Sequence, residues 1–151
     1  MDRLRTVRSI RTHVLVFLGL ILIQFWLGMT INLEVTLPSL SFGGVSALTY
    51  FAAHYWQVLF HMIVAVVILA VSVRFLILSL KLKSRPLIVL GIIGLAAIVG
   101  AIYNGISFLL SNQFFGNSIG MAMSAVSSIV AYALALYYIG SMRGEDDAAR
   151  I

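Results

Sequence analysis

The chain contains no cysteine, which removes disulfides, thiolate metal sites, iron–sulfur clusters and thiol nucleophiles together and leaves the redox compartment open. Charge is nearly as scarce, at 10% of 151 residues against 62% hydrophobic. An ordinary soluble domain carries about a quarter charged residues, so this chain cannot cover a water-facing surface. No carboxylate interrupts any long apolar run, and the acidic proton carrier of a small coupled exporter is therefore missing. Also missing are H-E-x-x-H, G-x-S-x-G and a phosphate-binding glycine loop, so no catalytic residues are assigned. The net charge of +5 does not imply nucleic acid. The cations sit in short clusters between apolar runs, and no basic stripe carries interleaved aromatics to stack on bases.

What remains is hydrophobic length. A membrane-spanning helix needs about 20 largely apolar residues, and the charge-poor intervals supply four, near 13–31, 50–80, 86–110 and 118–139. The chain is expected to form one all-α integral membrane domain over 1–151, an antiparallel up-down bundle of four transmembrane helices in a lipid bilayer. The first interval follows Arg3, Arg5, Arg8 and Arg11 in the manner of a signal peptide. Its uncharged run from Thr12 to Leu33 exceeds a typical h-region and lacks an A-x-A site, so a retained helix is expected. Pro86 suits the first turn of the third span, and Ser111-Asn112-Gln113 is the only polar break before the fourth.

Orientation follows from Lys and Arg in short loops, which stay cytoplasmic. Besides the N-terminal arginines, the cations are Arg74, Lys81, Lys83, Arg85, Arg143 and Arg150. All ten fall on one side of the expected topology, with Arg74 snorkelling from within the second span. Both termini are thus expected in the cytoplasm, in a multi-pass protein of the cell membrane. Trp26, Tyr50, Tyr55 and Trp56 fit an outer aromatic belt, and Tyr137 and Tyr138 an inner one. The outer connection, 32–49, combines an apolar/polar alternation over 31–37 with Ser41-Phe42-Gly43-Gly44. Its apolar content predicts a strand-like or interfacial cap folded over the bundle.

In lipid, apolarity alone does not hold helices together, and close contact relies on small residues and interhelical hydrogen bonds. The third span carries Gly94, Ala97, Ala101 and Gly105 on one face, with Ala96 and Gly100 on a second ridge. The fourth carries Gly120, Ser124, Ser128, Ala131 and Ala135. These two are expected to form a tight antiparallel hairpin. The neutral polar residues fall at a common depth. Gln24, His61, Asn104 and Ser124 lie about six or seven residues inside the outer boundary, roughly 10 Å at the helical rise. Burying an unpartnered amide or imidazole in hydrocarbon costs several kcal/mol, so all four are expected to turn inward and bond to one another.

His54 and His61 are seven residues apart on the expected second span, which puts them on nearly the same face, with His54 near the outer mouth. A neutral imidazole is an available haem-iron ligand. Two ligands about 10 Å apart on one helix cannot grip opposite faces of one iron; the second ligand would be Met121 or Met123, or a histidine of a second copy. The alternative is a histidine that fixes helix register. His13, among the arginines, reads as an interfacial residue.

Ala53-His54-Tyr55-Trp56-Gln57 and His61-Met62-Ile63-Val64, after a helix and a long outer loop, resemble one four-helix half of the haem A synthase family. That resemblance implies haem chemistry at a histidine-bearing helix, although the family's outer-loop cysteine pair and first-helix glutamate are absent. Gly28-Met29-Thr30-Ile31-Asn32, His61 and Asn104-Gly105-Ile106-Ser107-Phe108 resemble small prokaryotic four-helix membrane proteins of unassigned function, which imply no mechanism. Two functions are carried forward. One is an accessory or assembly subunit of a larger membrane complex, with other subunits or a second copy as partner. The other is an electron carrier holding haem b or quinone around His61, with His54, Gln24, Asn104, Trp56 and Met121 nearby.

Overall fold

The computed structural model describes residues 3–35, 37–38, 44–111 and 113–148. Ser41-Phe42-Gly43, Asn112 and Arg150, named above, lie outside them, as do Thr36 of the alternating run and the side chains of Arg3 and of the tail from Met142 on. The chain is an all-α transmembrane bundle. Its helices are α1 (Arg3–Glu34), α2 (Gly44–His54), α3 (Trp56–Leu82), α4 (Arg85–Leu110) and α5 (Phe115–Ala148). Four of them are long and apolar enough to span a bilayer. Only 22% to 33% of each span's most apolar stretch is buried inside the bundle. The remainder is the lipid-facing surface that the composition requires.

The spans run alternately up and down, and α1–α3, α3–α4, α4–α5 and α5–α1 are neighbours. Thus α3 stands diagonally opposite α5. One end, the capped end, carries α2 and the α4–α5 turn; the other, the terminal end, carries the start of α1, the α3–α4 turn and the end of α5. Trp26 and Trp56 are exposed towards the capped end and Tyr137 towards the terminal end, as an aromatic belt at each membrane boundary requires.

Residue type explains the joints. Lys83 adopts the left-handed conformation after α3, its N–H donating to Leu80 O at 3.0 Å, and Pro86 sits in the first turn of α4. At the other end Gln113 is left-handed (φ 60°), and its N–H donates to Phe108 O at 3.0 Å. Its side chain reaches back to donate to Leu37 O at 2.7 Å. Leu37 is buried with Ile31, Ala47, Phe51, Val58 and Phe108, so the connection after α1 does fold over the bundle. It does so through a helix, and the described residues include no strand.

The interval expected as one helix over 50–80 is two. At Tyr55 the backbone is extended (φ −127°, ψ 96°), which separates α2 from α3. Other boundaries lie further out than expected: α1 takes in the arginines, and α5 starts at Phe115. The small-residue hairpin is present, and α4 on α5 is the most extensive helix pairing in the molecule. A side chain on one helix fills the space a glycine leaves on the other. Tyr132 lies over Gly94, Asn104 over Gly120 and Met121 over Gly105.

Candidate functional site

The bundle has two layers of different construction. Nearer the terminal end, all four spans meet at Tyr132. Its ring stacks on Phe17 of α1 (centroids 3.8 Å apart) and meets Phe75 of α3 edge-on at 5.0 Å. Gly94 of α4 makes room for it: a Cβ there would collide with the ring. The phenol shares a hydrogen bond with the Ser72 hydroxyl of α3. Tyr132 and Ser72 are both fully buried, so the one polar contact of this layer is closed on itself, as a buried hydroxyl requires.

Beneath the α2 cap the bundle is not filled. A cavity of about 440 Å³ lies between the spans, lined by all five helices. Its floor is Ile21, Ile68 and Ile98, one turn above the Phe17–Tyr132 layer. Leu48 of α2 and Phe108 lie at the cap. The volume falls within the roughly 300–1,000 Å³ of small-molecule sites, which are mostly apolar with a few convergent polar groups. Here the polar side chains of the lining are Gln24, Asn32, His61 and Ser118, and of these Gln24 and His61 hold a buried atom without a partner.

Both are held from the backbone upward. Gln24 is one turn before Gly28 on α1, and Gly28 brings α1 against α3: a Cβ at that position would stand 3.3 Å from His61 Cε1. Any larger residue at 28 would push the imidazole aside. Gln24 Oε1 and His61 Nδ1 are buried without a hydrogen-bond partner. In native interiors such orphans are rare, and each calls for an explanation. Both residues line the cavity; Gln24 Oε1 can only accept and suits a ligand hydroxyl, while the ring nitrogen suits a hydroxyl or, as a donor, a carbonyl.

The expected four-residue polar cluster does not form. Asn104 lies in the α4–α5 seam and donates from Nδ2 to Gly100 O at 2.8 Å, with its amide over Gly120. Ser124 is in the same seam, against Gly100. Neither lines the cavity. Back-bonding within its own helix satisfies the Asn104 amide without the other spans. His54 does not join the site either. It is exposed on α2, donates from Nδ1 to Tyr50 O at 2.9 Å and stacks on the Tyr50 ring. The break at Tyr55 destroys the helical phase that would have aligned it with His61. Trp56, expected beside the site, is exposed at the start of α3.

Met121 does line the cavity, on α5 diagonally across from His61; Met123 is exposed. His13 is bonded to Ser9 O at 2.7 Å, away from the site. Tyr132 and the cavity walls Phe25 and Met29 are not marked as site residues by the sequence pattern, whereas Ala65, one turn deeper than His61 on the same stripe, does line the cavity. A tyrosine in mid-span, level with Gly94 and Ser72, was the available signal for the first. Among the described residues no three His, Cys, Asp or Glu side chains gather as a metal site would need. Compared with family models, curated proteins and solved structures, the chain matches none.

Proposed function

We propose that this protein holds a quinone-class ligand, a largely apolar ring with carbonyl or hydroxyl groups, in the cavity under α2. The ring oxygens would bond to Gln24 and His61. The observation that carries this reading is that two residues lining one cavity, Gln24 and His61, each hold a buried polar atom without a partner. An imidazole donates from one ring nitrogen and accepts at the other, so with the Gln24 amide it can serve either a carbonyl or a hydroxyl. The ligand would be shared with a larger electron-transfer complex, which keeps the accessory-subunit expectation as context. The Lys and Arg distribution supports termini on the cytoplasmic side of a cell membrane, and hence a site in the outer half of the bilayer.

Haem b is the second reading, favoured by His61 and Met121 facing the same cavity from diagonal helices. No Lys or Arg lines that cavity to pair with propionates, which ranks it lower. Solvent extraction of the purified protein, with mass spectrometry of the extract and a reduced-minus-oxidised absorbance spectrum, separates the two. Quinone in the extract, depleted from a Gln24→Leu/His61→Leu protein, is expected. A sharp low-spin haem band lost in His61→Ala would replace the quinone reading. A colourless protein with no quinone, in either native or quinone-supplemented membranes, would sink both.

A further inference from the structure

A ligand this apolar has two routes to His61, from water past α2 or sideways from lipid. The helix contacts separate them. α2 packs on α3 and α4, and Leu37, tied to Gln113, adds to the lid. The water-facing end is thereby closed over the α3–α4 side. The seam between α1 and α5 has no such cover. The buried residues of α5 begin at Ser128; from Phe115 to Ser127 none is buried. The aromatic contact that joins α1 to α5 is Phe17 on Tyr132, below the cavity floor.

Above that contact the seam is made of small or exposed residues that also line the cavity. Phe25 and Met29 of α1 are 46% and 45% exposed. Across from them, Ser118, Ala122 and Ala125 of α5 line the same space, and Ala122 is exposed. A residue that lines a cavity and is also exposed marks where the cavity meets its surroundings; Val66 of α3 and Ile106 of α4, 65% and 40% exposed, do so as well, on the two helices that α2 packs against. On a transmembrane span those surroundings are acyl chains.

From this arrangement we infer that the cavity opens laterally into the bilayer between α1 and α5, and that its ligand carries a long apolar tail which lies in this opening. The inference rests on the quinone-class reading and narrows it to tailed, lipid-borne members such as isoprenoid quinones. The ring sits at Gln24 and His61, and the tail passes between Phe25 and Ala122 to the lipid. Ligand exchange then runs through the membrane, while α2 only keeps water out.

The test follows exchange of a decyl-tailed benzoquinone from lipid vesicles into the protein in nanodiscs, read by quenching of tryptophan fluorescence. Two variants are compared with the wild type. Ala122→Trp narrows the seam at an exposed position, and Val45→Trp adds bulk to the cap at an exposed α2 position that does not line the cavity. Ala122→Trp is expected to slow exchange by about tenfold or more, equivalent to one decade in a rate constant, and Val45→Trp to leave it unchanged. A tailless benzoquinone should bind at least about tenfold more weakly than the decyl form, relative to their partition into lipid. Slowing by Val45→Trp with Ala122→Trp unaffected would overturn the lateral opening and leave quinone binding standing. Equal affinity for tailed and tailless rings would overturn the tail's place in the seam. No saturable quenching in the wild type would overturn the quinone reading itself.

Discussion

Two layers of one bundle, a few turns apart on the same helices, are built in opposite ways. Around Tyr132 the four spans contribute Phe17, Ser72, Phe75 and Gly94, and both hydroxyls of the layer are bonded to each other. Under α2 the same spans contribute Gln24, His61, Ile102 and Met121 around an open cavity, with two polar atoms left over. Both layers are reached by glycines at helix contacts, so helix approach does not distinguish them. The difference lies in what enters the space between the helices. In one layer a side chain of the protein fills it and satisfies its own polar group. In the other, space and hydrogen-bonding capacity are left unused together, which is the combination a ligand requires.

Substitutions can break this contrast, and the largest effects belong to the closed layer. Tyr132→Ala should destabilise the protein by about 3–5 kcal/mol, the usual cost of truncating a fully buried aromatic. Equilibrium unfolding in bicelles measures it. Ala135, fully buried in the same half, gives a paired comparison with Ala65 on the cavity wall. Ala135→Leu should cost about 1–3 kcal/mol through overpacking, whereas Ala65→Leu should leave unfolding within about 1 kcal/mol of wild type, because it grows into space. An equal loss for both would mean that the cavity is not there.

Smaller still is the hydroxyl pair. Tyr132→Phe should cost about 0.6 kcal/mol and at most about 1.7 kcal/mol, the mean and maximum found for hydrogen bonds between helices in lipid. The smallest effect has the opposite sign. Gln24→Leu removes a buried acceptor that lacks a partner, so the ligand-free protein should gain up to about 1 kcal/mol. Thermal unfolding of delipidated protein is the readout, since a bound ligand would mask the gain by stabilising the wild type. Destabilisation by Gln24→Leu in the ligand-free state would mean that its amide already has a partner.

The fold was legible because charge is so sparse. Uninterrupted apolar runs, the clustering of cations between them and Pro86 at a helix start determine the span count and the alternation. The glycines of the third span correctly announced the α4–α5 hairpin. The site was half legible. Depth along each helix put Gln24 and His61 in one layer, and both do line one cavity. Depth says nothing about rotation, however, and Asn104 and Ser124 at the same level turn into the α4–α5 seam. The error over His54 has another origin. Nothing in Ala53-His54-Tyr55-Trp56 breaks a helix by propensity, and the chain bends there so that α2 can lay Ala47 and Phe51 over Val58 and Phe108. That gain is tertiary, and no local rule contains it. Empty space is likewise a property of four helices at once, invisible in any one of them.

The most direct test is an equilibrium titration of the purified, delipidated protein in nanodiscs with decyl-tailed benzoquinone, alongside a Gln24→Leu/His61→Leu protein of confirmed fold. Saturable binding of one ring per chain, weakened by at least about a hundredfold when the two polar groups are removed, is the predicted result. Equal affinity in both proteins would contradict the account, because the ligand would then owe nothing to the two groups on which the site is argued.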